Sequence, residues 1–140
     1  MEAQIDFFNV LKYDFHGPWD ATTPGLGPLV KPHTDLKEID TALDLFWFSD
    51  VTPAKINLGL SNYARGYTLA DPACAHYGCK WTGPSKPGEC TDLSGVLSQR
   101  EIARIISQKN LRPELIKDAG VKQIVFDGQW IGYDDSRLLV

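Results

Sequence analysis

The chain has 140 residues, 43% of them hydrophobic and 11% aromatic, and a formal net charge of −4. That length and apolar content suit one globular unit with a sizeable core and exclude a disordered chain. The acidic balance gives no basic footprint for nucleic acid or anionic lipid, and no apolar run approaches the ~20 residues of a membrane span.

Met1-Glu2-Ala3-Gln4 leads straight toward the first predicted strand, without the pattern of a secretory or transit peptide. Residues 7–19, FFNVLKYDFHGPW, open with the near-continuous apolar run of a buried parallel strand. The run ends in Lys12-Tyr13-Asp14 and turns at Gly17-Pro18. Active sites of parallel α/β proteins lie at the carboxyl ends of strands, so the phenol of Tyr13 and the carboxylate of Asp14 are expected to carry chemistry. The loop over 17–33 is rich in Gly and Pro and long for a strand–helix connection, which points to function.

A helix is predicted from Thr34 or Asp35, because Asp35 and Glu38 have the spacing of a capping box. Leu36, Ile39, Leu43 and Phe46 fall on one face of it, and Phe46, Trp47 and Phe48 read as core packing. Asp35, Glu38, Asp40 and Asp44 read as a solvated face. Thr52-Pro53 halts the chain before a second buried strand over 56–60, INLGL. Tyr63 and Arg65 then lie just past that strand's carboxyl end, on the same rim as Tyr13. Arg65 offers a fork of donors suited to hydroxyls and carbonyls, or equally to pairing with nearby carboxylates that hold the rim together. His16 and His33 have no evident Ser or Cys partner, so a nucleophilic triad has no support.

From Tyr67 the texture changes to a turn-rich segment holding all three cysteines, Cys74, Cys79 and Cys90. Three cysteines allow one internal bridge and leave one thiol, and spacing does not choose the pair. The cluster suggests an oxidising compartment, and without a leader it hints at part of a longer protein. With His76 the cysteines form a conceivable zinc set, but paired CxxC knuckles are missing, so a disulfide and no metal are expected. Ser98 and Glu101 form a second capping box, with Ile102, Ile105 and Ile106 facing inward. VKQIVF and QWIGY flank Asp127-Gly128, a strong hairpin signal, with Trp130 and Tyr133 as packing aromatics. Asp134-Asp135 is placed to cap one more helix over the final residues.

These pieces, in this order, resemble one family. FFNVLKYDFHGPWD is similar to the sixth barrel strand of family 18 glycoside hydrolases, the chitinases, where Met-x-Tyr-Asp precedes a His-Gly turn; Leu11 replaces the Met. HTDLKEIDTALDLFW and VTPAKINLGL resemble the following helix and the seventh strand. SNYARGYTL resembles the family's Tyr-Gly-Arg turn, with Ala64 in place of Gly. Residues 68–135 resemble the insertion domain after the seventh strand, and PACAHYGCKWTGPSKPGEC and QWIGYDD look most like fungal members related to killer-toxin subunits. The catalytic signature Asp-x-x-Asp-x-Asp-x-Glu occurs nowhere in the chain.

The resemblance implies an α/β fold: an incomplete TIM (β/α)8 barrel over 1–66, about its sixth and seventh strands, and an α+β insertion domain over 67–140. It implies a chitinase fragment acting on β-1,4-linked N-acetylglucosamine polymers, or alternatively a non-catalytic protein binding chitin oligosaccharide or a partner. Family members hydrolyse by substrate assistance, the substrate's own acetamido carbonyl attacking the anomeric carbon. Carried over, Tyr13 holds that acetamido oxygen, Asp14 fixes the distorted sugar, and Trp19 lines the cleft where an indole can stack on a pyranose. Tyr63 and Arg65 complete the substrate-binding set, with no cofactor. The implied partners are chitin or its oligomers, and through exposed strand edges the missing barrel or another chain. The implied location is extracellular. The resemblance also implies a further cysteine beyond Val140 as partner for the odd thiol.

Overall fold

A computed structural model describes residues 2–135; the helix expected after Asp134-Asp135 falls outside them. The first part is a strand–helix–strand unit. β1 (Phe8–Leu11) and β2 (Ile56–Gly59) pair in parallel, Phe8 opposite Ile56 through Leu11 opposite Gly59, and α1 (Leu36–Phe48) connects them. The remainder builds an antiparallel sheet of β3 (Tyr63–Leu69), β4 (Trp81–Pro84), β5 (Val96–Ser98), β6 (Glu114–Ile116), β7 (Val121–Phe126) and β8 (Gln129–Tyr133). Its order is β4-β3-β8-β7-β6, with β5 paired to the first half of β3. α2 (Gln99–Lys109) follows β5 directly.

Local chemistry accounts for most of these boundaries. Asp127 (φ 48°) and Gly128 (φ 71°) take the two positive-φ positions of a type I′ turn, which sets Phe126 opposite Gln129. At α2 the predicted capping box closes in both directions. The Glu101 carboxylate accepts from Ser98 N at 2.8 Å, Ser98 Oγ at 2.7 Å, Cys90 N at 2.7 Å, Thr91 N at 2.9 Å and Thr91 Oγ1. Burial pushes that carboxyl up, but these donors outweigh it and hold the group far below the usual carboxylate range. One buried carboxylate thus ties the 90–91 loop to the helix start.

At α1 the predicted box forms only in half. Asp35 caps by accepting from Lys37 N at 2.9 Å, while the Glu38 carboxylate turns away to His16 Nε2 at 2.9 Å. The expected core of Phe46, Trp47 and Phe48 is also corrected. No residue of α1 is buried; Phe48 is 92% exposed, and Phe46 is half-buried, its ring edge-on to Phe8 at 6.1 Å. The physical reason is that a two-stranded sheet covers only one flank of a helix, leaving the other flank to solvent.

The large sheet has two packed faces, as strand alternation requires. Tyr67, Leu69, Trp81 and Trp130 join Val30 and Cys79 on one side. Ala64, Leu97, Ile124, Ile131 and Tyr133 meet Ile102 of α2 on the other. β3 runs unbroken from Tyr63 to Leu69, so the division expected between 66 and 67 falls inside a strand. The expected Tyr-Gly-Arg turn is that strand's first half, and Ala64 is fully buried within it, extended and pairing with Leu97. A Gly is therefore not required at position 64. Cys74 and Cys79 form the disulfide, and Cys90 is a free, exposed thiol. The bridge takes both sulfurs of a Cys74–His76–Cys79 group whose donor atoms lie within 4.8 Å of one another.

Candidate functional site

β1 ends by turning sharply at Asp14, whose φ of 63° lies in the left-handed region that Asp tolerates better than most residues. The turn aims the Asp14 carboxylate across to β3, where Arg65 Nε donates to Oδ1 at 2.8 Å. The Tyr63 phenol acts on the same carboxylate and helps lower its pKa. Burial pushes the Asp14 carboxyl up, but Arg65 and Tyr63 outweigh it, so the group stays ionised below its ordinary range. Burial and the neighbouring carboxylate push the Tyr63 phenol up to about 12.

Behind this pair sits His33, completely buried. Asp14 N donates to its Nδ1 at 3.4 Å, Asp14 Oδ1 is 3.3 Å from the same nitrogen, and its ring stacks on Tyr63 at 5.2 Å. Burial pulls its titration from 6.5 to about 4, with Asp14 opposing and Arg65 assisting, so the ring is neutral at pH 7. Its Nε2 has no hydrogen-bond partner among the described residues.

The aromatic residues complete the cluster. Tyr13 meets Tyr63 edge-on at 6.1 Å. The Arg65 guanidinium lies 4.7 Å from the centroid of the Trp19 ring and 5.6 Å from that of Tyr63. Trp19 rides on a short 3-10 turn, Pro18–Ala21, and packs against Gly17, where a Cβ would come within 2.3 Å of the indole. Any larger residue at 17 would displace the ring. The indole remains 39% exposed.

The structure thus gathers Tyr13, Asp14, Trp19, Tyr63 and Arg65 into one network, although Tyr63 and Arg65 reach it from within a strand rather than from a turn. Sequence reasoning missed His33, which stands nineteen residues from Asp14 with no spacing rule to join them. It also missed His16, Asp20 and Glu38. Their signal was available in part: His16 and Asp20 are four apart, and Nδ1 lies 2.7 Å from the Asp20 carboxylate. Chemically, the cluster offers a fixed anion, a guanidinium, two phenols and a partly open indole. That set suits a neutral ligand bearing hydroxyl and amide groups beside an apolar ring face.

The sequence model described as "Glycosyl hydrolases family 18" matches residues 1–140. The chain belongs to that family. Mouse (Mus musculus) chitotriosidase-1 is 34% identical over 137 residues, covering 94% of this chain and 28% of the relative. "Secreted chitinase LysM12" of Penicillium expansum is 29% identical over 119 residues, 77% of this chain and 8% of its own length. Among solved structures, human YKL-39, a pseudo-chitinase with retained chitooligosaccharide binding properties, superposes with a TM-score of 0.85 at 26% identity, covering 99% of this chain and 39% of that one. The chain spans well under half the length of each of these proteins.

Proposed function

We propose that the chain is the chito-oligosaccharide-gripping part of a family 18 protein, supplying cleft residues but no acid for glycosidic cleavage. The observation that carries this reading is the convergence of Tyr13, Asp14, Tyr63 and Arg65 beside an indole held half open by Arg65 and Gly17. In this reading β1 and β2 are the sixth and seventh strands of a TIM barrel, and the larger sheet with α2 is the insertion domain. The cysteine loop supports the fungal, killer-toxin-like subgroup, and the secreted fungal relative supports an extracellular setting.

Trp19 stacks on a pyranose face, and the Tyr13 hydroxyl holds the acetamido oxygen. Asp14, already ionised and fixed by Arg65 and Tyr63, orients the sugar and has no proton to give at neutral pH. General-acid help, worth ~10²–10⁴-fold, therefore has to come from a residue of the absent signature. The known neighbour that binds chito-oligosaccharide as a pseudo-chitinase supports a binding role separable from hydrolysis.

Calorimetric titration with the N-acetylglucosamine tetramer tests the reading. The folded chain is expected to bind, Trp19→Ala is expected to weaken binding by at least about tenfold, and a chitobiose reporter glycoside is expected to stay intact. A folded chain that does not bind, or reporter release above a Tyr13→Phe control, would overturn it.

A second reading rests on a different observation. Among the described residues β1 and β2 each have one strand partner, and Leu11 and Leu58 within them and Leu60 just after are 64%, 47% and 62% exposed. Such edges accept further strands, from the rest of a barrel or from another chain.

A further inference from the structure

We propose that His16 is a positioning residue whose imidazolium form seats Trp19 over Arg65, which makes the grip on ligand depend on a single buried proton. This inference rests on the oligosaccharide-gripping reading and concerns its regulation.

His16 is 4% exposed, and both of its ring nitrogens face carboxylates. Nδ1 is 2.7 Å from Asp20 Oδ2, and Nε2 is 2.9 Å from the Glu38 carboxylate on α1. A neutral imidazole carries one N–H and can satisfy only one of these acceptors; the imidazolium donates to both. Asp20 points the same way. It is 1% exposed, its Oδ1 has no hydrogen-bond partner among the described residues, and Oδ2 accepts from His16. A buried carboxylate needs a compensating charge or proton, and the imidazolium is the one that touches it. Other titratable groups near the clamp are Tyr67 of β3, which Asp20's charge reaches, and Tyr77 of the disulfide loop, which Asp35 and Glu38 reach. Both are phenols pushed well above neutral pH by burial and by these carboxylates, so neither supplies a competing charge.

The clamp is connected directly to the site. Asp20 follows Trp19 in the Pro18–Ala21 turn, and Asp20 N donates to Gly17 O, the residue under the indole. Glu38 gives up its capping-box bond at α1 to take His16. Loss of the proton leaves a ring lone pair facing a carboxylate, releases the turn from α1 or from Asp20, and frees the Trp19 ring to leave Arg65.

The test compares the wild-type chain with His16→Gln and Glu38→Gln. It uses imidazole nitrogen shifts, the Trp19 indole N–H signal and tetramer binding across pH. In the wild type, the His16 ring should carry two N–H groups at pH values where binding is strong, and both the indole signal and the affinity should change as that ring loses a proton. His16→Gln should weaken binding about tenfold, as for one hydrogen bond to a charged group, and flatten the pH profile. Glu38 lies on an open helix, so Glu38→Gln is the variant that keeps its fold if the buried one does not; it should move the indole signal and shift the pH profile. A neutral His16 ring where binding is strong would overturn the proposal. So would variants with wild-type affinity, profile and indole signal. A wild-type chain that binds no tetramer removes the functional reading alone; the clamp is then judged on the ring nitrogens and the Trp19 signal.

Discussion

Lowering the pH from 7 to 5 should destabilise the fold chiefly through His33. The folded ring, buried behind Asp14 and Tyr63, titrates at about 4, against 6.5 for the exposed side chain. Above 6.5 neither state binds the proton and stability does not respond to it. Below 6.5 the unfolded chain takes up a proton that folded His33 refuses, so stability falls by up to ~1.4 kcal/mol per pH unit until the folded ring itself titrates. The loss is about 2 kcal/mol by pH 5 and about 3 kcal/mol by pH 4, a large share of the 5–15 kcal/mol of a typical domain. Asp14 acts in a separate window: its lowered carboxyl contributes stability that is present above its unfolded value of 3.8 and lost as pH falls through the folded one. Urea unfolding at pH 7, 6 and 5 should show the His33 slope in the wild type and not in His33→Asn. The amide of Asn can accept from Asp14 N without titrating. Equal slopes for the two proteins, or an imidazole that titrates near 6.5 in the folded wild type, would refute the reasoning.

Two further outcomes follow from the cysteines and the sheets. Opening the Cys74–Cys79 bridge, whose partners are five apart in sequence, should cost about 2 kcal/mol in urea unfolding, and native alkylation should place one label, on exposed Cys90; an unlabelled native chain would contradict this. Amides of Phe8–Leu11, in a strand flanked on one side, should exchange faster than those of Val121–Phe126, flanked by β6 and β8. Slower exchange across Phe8–Leu11 would count against the assignment of stability to the larger sheet.

Features whose physics is local could be read from the sequence. The Asp127-Gly128 hairpin needs only two residues that accept positive φ, and the Ser98–Glu101 box needs only a three-residue spacing. The start of α1 shows where local reading stops. Asp35 and Glu38 have the right spacing, but Glu38 has a stronger claim on it from His16, twenty-two residues away. Likewise the apolar run at 46–48 has core composition, yet exposure depends on whether a third layer covers the helix, which no spacing within the run encodes. The division between 66 and 67 follows the change of composition at Tyr67, whereas Gly66 and Tyr67 pair with Ile131 and Trp130 in the middle of one ladder.

The candidate site lay between these cases. Tyr13 and Asp14 were legible from strand-end logic, which also set Tyr63 and Arg65 on the same rim, but no local rule encodes the bond from Arg65 to Asp14, about fifty residues away. The structure supplies the physical reason for the link. β1 belongs to the small parallel sheet and β3 to the large antiparallel one, and the Asp14–Arg65 bond joins the two sheets at the point where Trp19 leans over the guanidinium. Arg65 is only 16% exposed and is raised above its ordinary range because the Asp14 bond outweighs burial, so its charge is fixed at any pH where the chain folds. Asp14 is fixed as its anion by the same contact. Of the groups around Trp19, His33 has its titration pulled down by burial to about 4, and His16 is held by both ring nitrogens between two carboxylates. His33 couples its protonation to the stability of the fold, and His16 to the seating of the indole. The pH response of stability and the pH response of ligand grip are therefore expected to separate, the first abolished by His33→Asn and the second by His16→Gln.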